Sequence, residues 1–101
     1  MSLNECRNEA GEFMAAVGTG PEHLPRILKW LDEESAELKA AADRNDLPRL
    51  RHQIYDVMFL LFELAAQHGL DLDTEWAAGR RRKQAKYLSG KAETATPDAG
   101  R

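Results

Sequence analysis

The residues of this chain that are best suited to chemistry are acidic side chains on two neighbouring predicted helices. Glu33, Glu34 and Glu37 lie on the first helix, and Asp56 lies on the next, directly before the apolar run at residues 57–62. A carboxylate in such a dry place is usually protonated, paired or bound to a cation. The chain has no lysine or arginine between Gln53 and Gln67. Converging carboxylates repel unless a hard cation lies between them, so we expect Mg²⁺, with Mn²⁺ as the alternative.

Helical spacing places these acids on faces that can meet. Glu34 and Glu37 are three positions apart and share a face, and Glu34 extends an apolar row that should face the interior. Gln53 and Asp56 have the same spacing on the following helix. A short connection joins the two helices, so we expect them to pack antiparallel with the two pairs at comparable heights. Such an arrangement predicts a cage of oxygen ligands for Mg²⁺.

The hydrophobic pattern is helical throughout, with no convincing alternation of the strand type. Residues 18–21 (Gly-Thr-Gly-Pro) interrupt it, Asp46 has the position of an N-cap, and Gly69 that of a C-terminal cap. Residues 1–88 are predicted to form one helical domain, and residues 89–101, which lack an apolar stripe, a disordered tail. We predict an all-α, antiparallel four-helix unit with helices at about 2–17, 21–43, 47–68 and 72–87.

Composition limits the class of protein. Apolar residues make up 43% and charged residues 31% of 101 residues, as in soluble globular domains. The net charge of −3 argues against general affinity for nucleic acid or anionic membranes. The start lacks a signal peptide, no apolar run has the length of a membrane span, and Cys6 is the only cysteine, so we expect a cytoplasmic protein. An apolar third helix on so small a chain needs covering, which predicts a homodimer or homotetramer.

The acidic residues also carry a family resemblance. Glu-Glu-x-x-Glu at residues 33–37, fifteen intervening residues and then Gln-x-x-Asp at 53–56 resemble the signature of the MazG-like all-α NTP pyrophosphatases. Residues 11–14, 26–31 and 68–73 are similar to that group as well, and the resemblance spans about residues 8–88. It implies an enzyme that hydrolyses nucleoside triphosphates between the α- and β-phosphates, releasing NMP or dNMP and pyrophosphate. Such enzymes use Mg²⁺, form dimers or tetramers, and commonly clear unwanted nucleotides.

The resemblance also implies roles for individual residues. It makes Glu34, Glu37 and Asp56 metal ligands, and Glu33 either a further ligand or the group that orients the attacking water. Together these four acids would be the catalytic set. The cations proposed to bind the substrate phosphates are on the last helix: Arg82, Lys83 and Lys86.

Gln53 departs from the family pattern, which has glutamate at this position. An amide oxygen can ligate a cation, but it brings no charge and cannot act as a base, so metal affinity should fall. Glu63, seven residues beyond Asp56 on the same face, could partly compensate.

Simpler explanations stay open for several of these residues. Helical glutamates are often only a solvated face, and a basic run at a helix end often serves only the helix dipole. Asp56 could pair with His52, four positions earlier. Trp30 and Trp76 could stack on a base, although packing in the core or at a dimer interface is favoured.

Three alternative functions also remain open. The first is a phosphoribosyl-ATP pyrophosphatase, which resembles the same superfamily and breaks the same type of bond. The second is a nucleotide-binding helical assembly protein whose catalysis was weakened when position 53 became glutamine. The third is a plain helical dimerisation module, which predicts no effect of Mg²⁺ on stability.

Overall fold

The computed structural model describes residues 1–17 and 23–88, and the regular elements among those residues are all helices. The prediction of an all-α fold is confirmed, and the observed helix ends lie within two residues of the predicted ones. The predicted break at residues 18–21 and the predicted tail at 89–101 lie outside the described residues. The four helices are α1 (Leu3–Ala16), α2 (His23–Asp43), α3 (Leu47–His68) and α4 (Leu72–Tyr87).

Local side-chain signals explain where the helices begin and end. Ser2 and Glu5 form a reciprocal capping box at the start of α1. The Asp46 carboxylate accepts a hydrogen bond from the Arg49 backbone N–H at 3.2 Å, which caps α3 as predicted. Gly69 ends α3 in the left-handed conformation, with φ of 62°, where a residue with a Cβ is strained.

The contacts of α3 with α1 and α2 show that it runs antiparallel to both. Towards α2, the side chain of Arg49 reaches Glu37, and that of Gln53 reaches Glu34, so rising numbers on α3 meet falling numbers on α2. Towards α1, the guanidinium of Arg7 donates to the carbonyl of Leu70, just beyond the end of α3, at 2.6 Å. The later Phe13 contacts the earlier Phe59, with ring centres 5.5 Å apart. Short connections favour this antiparallel packing of neighbouring helices.

The core of this three-helix unit is small. It is centred on Met14, Ile27 and Leu60, one residue from each helix, with Leu31 and Leu64 packed against it. Leu28 lies outside this core and is 47% exposed. Leu28 is adjacent to the buried Ile27, and neighbouring positions on a helix lie about 100° apart, so both cannot face the same core.

One face of α3 stays exposed on the single chain. Ile54, Met58 and Leu61 follow one another at helical spacing and are each 44–46% exposed. We call these three residues the exposed α3 row. Helices α1 and α2 thus cover only part of the apolar surface of α3.

A second compact unit begins at Asp71 and contains α4. The carboxylate of Asp71 accepts from the Thr74 backbone N–H at 3.0 Å and caps the helix. Further along, Arg82 and Glu75 form an exposed ion pair at 2.9 Å. None of the described helices has the combination of length and apolarity that crossing a bilayer would require.

Candidate active site

Helices α2 and α3 border an open cleft with a volume of about 310 Å³. From α2 it is lined by Trp30 and Glu34, which are four positions apart and so share a face. From α3 it is lined by Asp56, Phe59 and Leu60, again one helical turn. Two of the predicted site residues, Glu34 and Asp56, are therefore brought to the same cleft from different helices. Its walls are otherwise apolar, as is usual for small-molecule sites.

Gln53 holds the Glu34 carboxylate in place. Its side-chain amide donates to Glu34 Oε1 at 2.5 Å and also lies 3.5 Å from the Glu34 backbone carbonyl. Gln53 is only 2% exposed. A buried amide needs a partner, and a hydrogen bond to a charged acceptor is among the stronger ones in proteins. The residue that departs from the family pattern thus contacts a predicted ligand directly.

Asp56 is paired with His52. The imidazole Nε2 lies 3.0 Å from Asp56 Oδ2, at the i, i+4 spacing that the sequence had offered as an alternative. The Asp56 side chain is 31% exposed, so the expected dry environment is wrong. The physical reason is its position, because it borders the open cleft instead of the core around Ile27. The Asp56 carboxylate therefore both pairs with His52 and lines the cleft.

Glu37 and Glu33 are placed differently. The Glu37 carboxylate is 3.1 Å from the Arg49 guanidinium, and both side chains are about half exposed. Glu33 is exposed on α2. Among residues 1–17 and 23–88, no group of three or more Asp, Glu, His or Cys side chains is arranged to hold a metal ion. Of the expected cage of oxygen ligands, two carboxylates, Glu34 and Asp56, line the cleft. Gln53 donates a hydrogen bond to the first of them.

Two carboxylates still fit a hard cation. Proteins usually bind Mg²⁺ through one or two carboxylates, and water and substrate phosphates complete its six-fold oxygen shell. Glu34 and Asp56 have this chemistry, and they face one cleft from antiparallel helices. The residues that would hold the ion are thus Glu34 and Asp56, whereas Glu37 would first have to leave Arg49.

Glu63 lies apart from this pair. It is 5% exposed, and burial raises the pKa of its carboxyl above the ordinary value of 4.5. Seven residues along a helix correspond to about 10 Å, so its carboxylate is roughly two turns from Asp56. The cleft lining comes from other residues. Its suggested role in compensating for Gln53 at the same cation therefore gains no support from this placement.

The basic residues proposed for phosphate binding belong to the second unit and are described there by themselves. Arg82 is paired with Glu75, and Lys83 is exposed. The Lys86 ammonium lies 5.8 Å from the centre of the Tyr87 ring, a cation–π contact. Their role towards the substrate stays a prediction.

The aromatic walls are the part of the site that the sequence analysis assigned least well, because it favoured packing for Trp30 and did not place Phe59 at the site. Trp30 comes one turn before Glu34, and Phe59 one turn after Asp56. The same i, i+3 and i, i+4 spacing that groups the acids would have grouped these rings with them.

Comparison with known families shows the class of this all-α protein, whose acids meet at one cleft from two antiparallel helices: it is a pyrophosphohydrolase of the MazG-like superfamily. Within it, the chain belongs to the phosphoribosyl-ATP pyrophosphohydrolase family, whose sequence model matches residues 7–83. The resemblance drawn from the acidic motif is thus confirmed. Neither the curated proteins nor the solved structures contained a match to this chain.

Proposed function

We propose that this protein is a Mg²⁺-dependent hydrolase that cleaves nucleoside triphosphates between the α- and β-phosphates. Water adds to a phosphorus atom of that bridge, one P–O bond breaks, and a nucleoside monophosphate and pyrophosphate are released. The observation that supports the proposal is that Glu34 and Asp56, from two different helices, line one cleft. Clearance of unwanted nucleotides is the role we infer for it.

Electrostatics supports the need for a cation. The charged groups that line the cleft are two carboxylates, whereas the substrate is a polyanion. These charges repel each other unless a cation lies between them. When bound, Mg²⁺ would neutralise phosphate charge and make a bound water more acidic. Glu34 and Asp56 would hold the ion, and Gln53 and His52 would keep the two carboxylates oriented.

Phosphoribosyl-ATP is a second candidate substrate. The family match over residues 7–83 favours it, and it contains the same α–β phosphate bridge. Phosphoribosyl-ATP is ATP with a phosphoribosyl group on its base, away from that bridge, so the same catalytic groups serve both candidates.

A screen for pyrophosphate release tests these proposals. The purified chain is incubated with each NTP and dNTP and with phosphoribosyl-ATP, in Mg²⁺, in Mn²⁺ and in EDTA. We expect activity with the metals and none in EDTA, and the preferred substrate decides between the two candidates. No pyrophosphate release from any of them would contradict the proposal, and nucleotide binding without release would favour the weakened assembly protein.

Variants then test the assignment of the acids. Glu34→Gln and Asp56→Asn should each lower kcat/KM by about 100-fold or more, the scale of losing an electrostatic catalytic group. Glu12→Gln, the same change at an exposed acid of α1, is the matched control and should leave activity unchanged. Glu37→Gln shows whether Glu37 leaves Arg49 during turnover, because only then does its removal abolish activity. Full activity in both Glu34→Gln and Asp56→Asn would show that the site is wrongly assigned.

We also propose a homodimer or homotetramer. The exposed α3 row, Ile54, Met58 and Leu61, is an apolar strip on a helix that already borders the cleft. Apolar strips of this kind commonly mark contacts with another protein surface. A second copy of the chain is the partner we infer.

A further inference from the structure

Two aromatic rings, one from each helix, line the acidic cleft. Trp30 contributes from α2 and Phe59 from α3. Trp30 is 39% exposed and Phe59 is half-buried, so part of each ring is open to a ligand. Large aromatic side chains that serve only as core filler are usually buried more completely than this Trp. Neither ring is needed to explain how Glu34 and Asp56 are held.

Neighbouring rings support both walls. The His23 ring is 3% exposed and lies edge-on to Trp30, with the ring centres 5.3 Å apart. Phe13 lies edge-on to Phe59 at 5.5 Å, and Tyr55 stacks on Phe59 at 6.0 Å. These are favourable aromatic geometries that limit rotation of the two wall rings. The rings are therefore preorganised, which lowers the entropy cost of placing a ligand against them.

The chemistry of the cleft selects a ligand with two different ends. A planar, weakly polar group fits the rings, and a group bridged by a cation fits the carboxylates one turn away on each helix. A heterocyclic base has flat faces that stack on aromatic side chains, whatever its identity. A nucleotide combines a base with phosphates, whereas a free polyphosphate has nothing to place on the rings.

We propose that Trp30 and Phe59 bind the nucleobase of the substrate by stacking, while its phosphates lie towards Glu34 and Asp56. This inference rests on the proposed function, since it assigns the base-binding part of the same site. It makes Trp30 a determinant of affinity for nucleotides over polyphosphates. Stacking tolerates different bases, so it gives affinity without strong selection among them.

Fluorescence gives a direct test that does not require turnover. The chain has two tryptophans, so Trp76→Phe leaves Trp30 as the only reporter in the full-length protein. Adenosine, which has no phosphate, should quench or shift this emission, and ribose should not. The Trp30→Phe variant, which retains Trp76, is the matched control and should show no response to adenosine. A response equal in both variants, or in neither, would overturn the stacking assignment.

Kinetics tests the same assignment in the active enzyme. Trp30→Leu should raise KM for the preferred nucleotide by about 5- to 150-fold, the effect of losing one base–aromatic stack. The inhibition constant of inorganic tripolyphosphate should be the same for Trp30→Leu and wild type, because that probe has no base. Trp30→Phe should recover most of the affinity, and Trp76→Leu should behave as wild type. Equal losses for nucleotide and tripolyphosphate, or an unchanged KM, would contradict the proposal.

The two proposals fail in different ways. If the base platform is wrong but the function is right, pyrophosphate is released and Trp30→Leu leaves KM unchanged. If the function is wrong but the platform is right, adenosine still alters Trp30 emission while no pyrophosphate appears. A thermal melt of Trp30→Leu close to that of Trp30→Phe shows that lost affinity is not lost folding.

Discussion

Replacing Gln53 by glutamate tests directly whether position 53 belongs to a cation site. The wild-type amide donates a hydrogen bond to Glu34 Oε1 at 2.5 Å from a position that is 2% exposed. Gln53→Glu keeps the shape of the side chain, removes the donor and places a second carboxylate beside the first. We therefore expect the variant to be unstable without a divalent cation and strongly stabilised with one.

The magnitude follows from two contributions. A hydrogen bond to a charged group contributes about 1.5–3 kcal/mol, and all of it is lost. Two unit charges about 3.5 Å apart repel by roughly 4–5 kcal/mol at an effective dielectric constant of 20. Uptake of a proton by one carboxyl relieves part of this repulsion, so we expect a net loss of about 3 kcal/mol. For a domain of this size that lowers Tm by roughly 10–20 °C.

Thermal unfolding at pH 7 in EDTA and in Mg²⁺ measures both effects. Mg²⁺ at 100 times its Kd would restore about 2.7 kcal/mol, so the gain in Tm with Mg²⁺ should be larger for Gln53→Glu than for wild type. Gln84→Glu makes the same chemical change at an exposed position of α4 and should stay within about 0.5 kcal/mol of wild type. If Gln53→Glu melts like wild type in EDTA and gains no more from Mg²⁺, position 53 does not belong to the cation site.

Three further outcomes follow from the described residues. Burial raises the pKa of Glu63, so the native state holds this proton more tightly than the unfolded chain, and stability should fall as the pH rises above about 4.5. Glu63→Gln should remove that slope in urea unfolding between pH 4 and 8 and add on the order of 1 kcal/mol at pH 7; an unchanged slope would contradict it. Gly69→Ala should cost about 1 kcal/mol in the same assay, because φ is 62° there; no loss would show that the cap relaxes. Met58→Glu should dissociate the proposed oligomer in analytical ultracentrifugation, since it places charge in the exposed α3 row; a monomeric wild type would refute the oligomer itself.

The helices could be predicted from the sequence because their signals are local. Asp46 and Gly69 act on the backbone of their own helix ends, and the apolar rows repeat at the helical period. The antiparallel arrangement of α2 and α3 also follows from local information, namely the short connection between them. Which apolar side chains are exposed does not follow from local information, because it depends on how much of each helix is covered by its neighbours. Leu28 and the exposed α3 row are examples.

The site was predictable to the level of helix faces and no further. Spacing placed Glu34 and Asp56 towards a shared cleft, where both are found. The partners of the acids depend on individual rotamers and on residues just outside the apolar run. The sequence offered His52 as a partner of Asp56, and that pair is present. It did not indicate Arg49 as the partner of Glu37, because Arg49 lies before the stretch between Gln53 and Gln67 that lacks lysine and arginine.

About one turn of α3, residues 49–53, thus supplies a partner for each of the three predicted carboxylate ligands. Arg49 binds Glu37, His52 binds Asp56, and the Gln53 amide binds Glu34. Each of these acids therefore already has a hydrogen-bond or ion-pair partner before any ligand arrives. A cation that enters must compete with these partners, and it gains most when substrate phosphates supply additional oxygens to it. Binding of the ion and of the nucleotide should then strengthen each other, because each provides charge that the other needs.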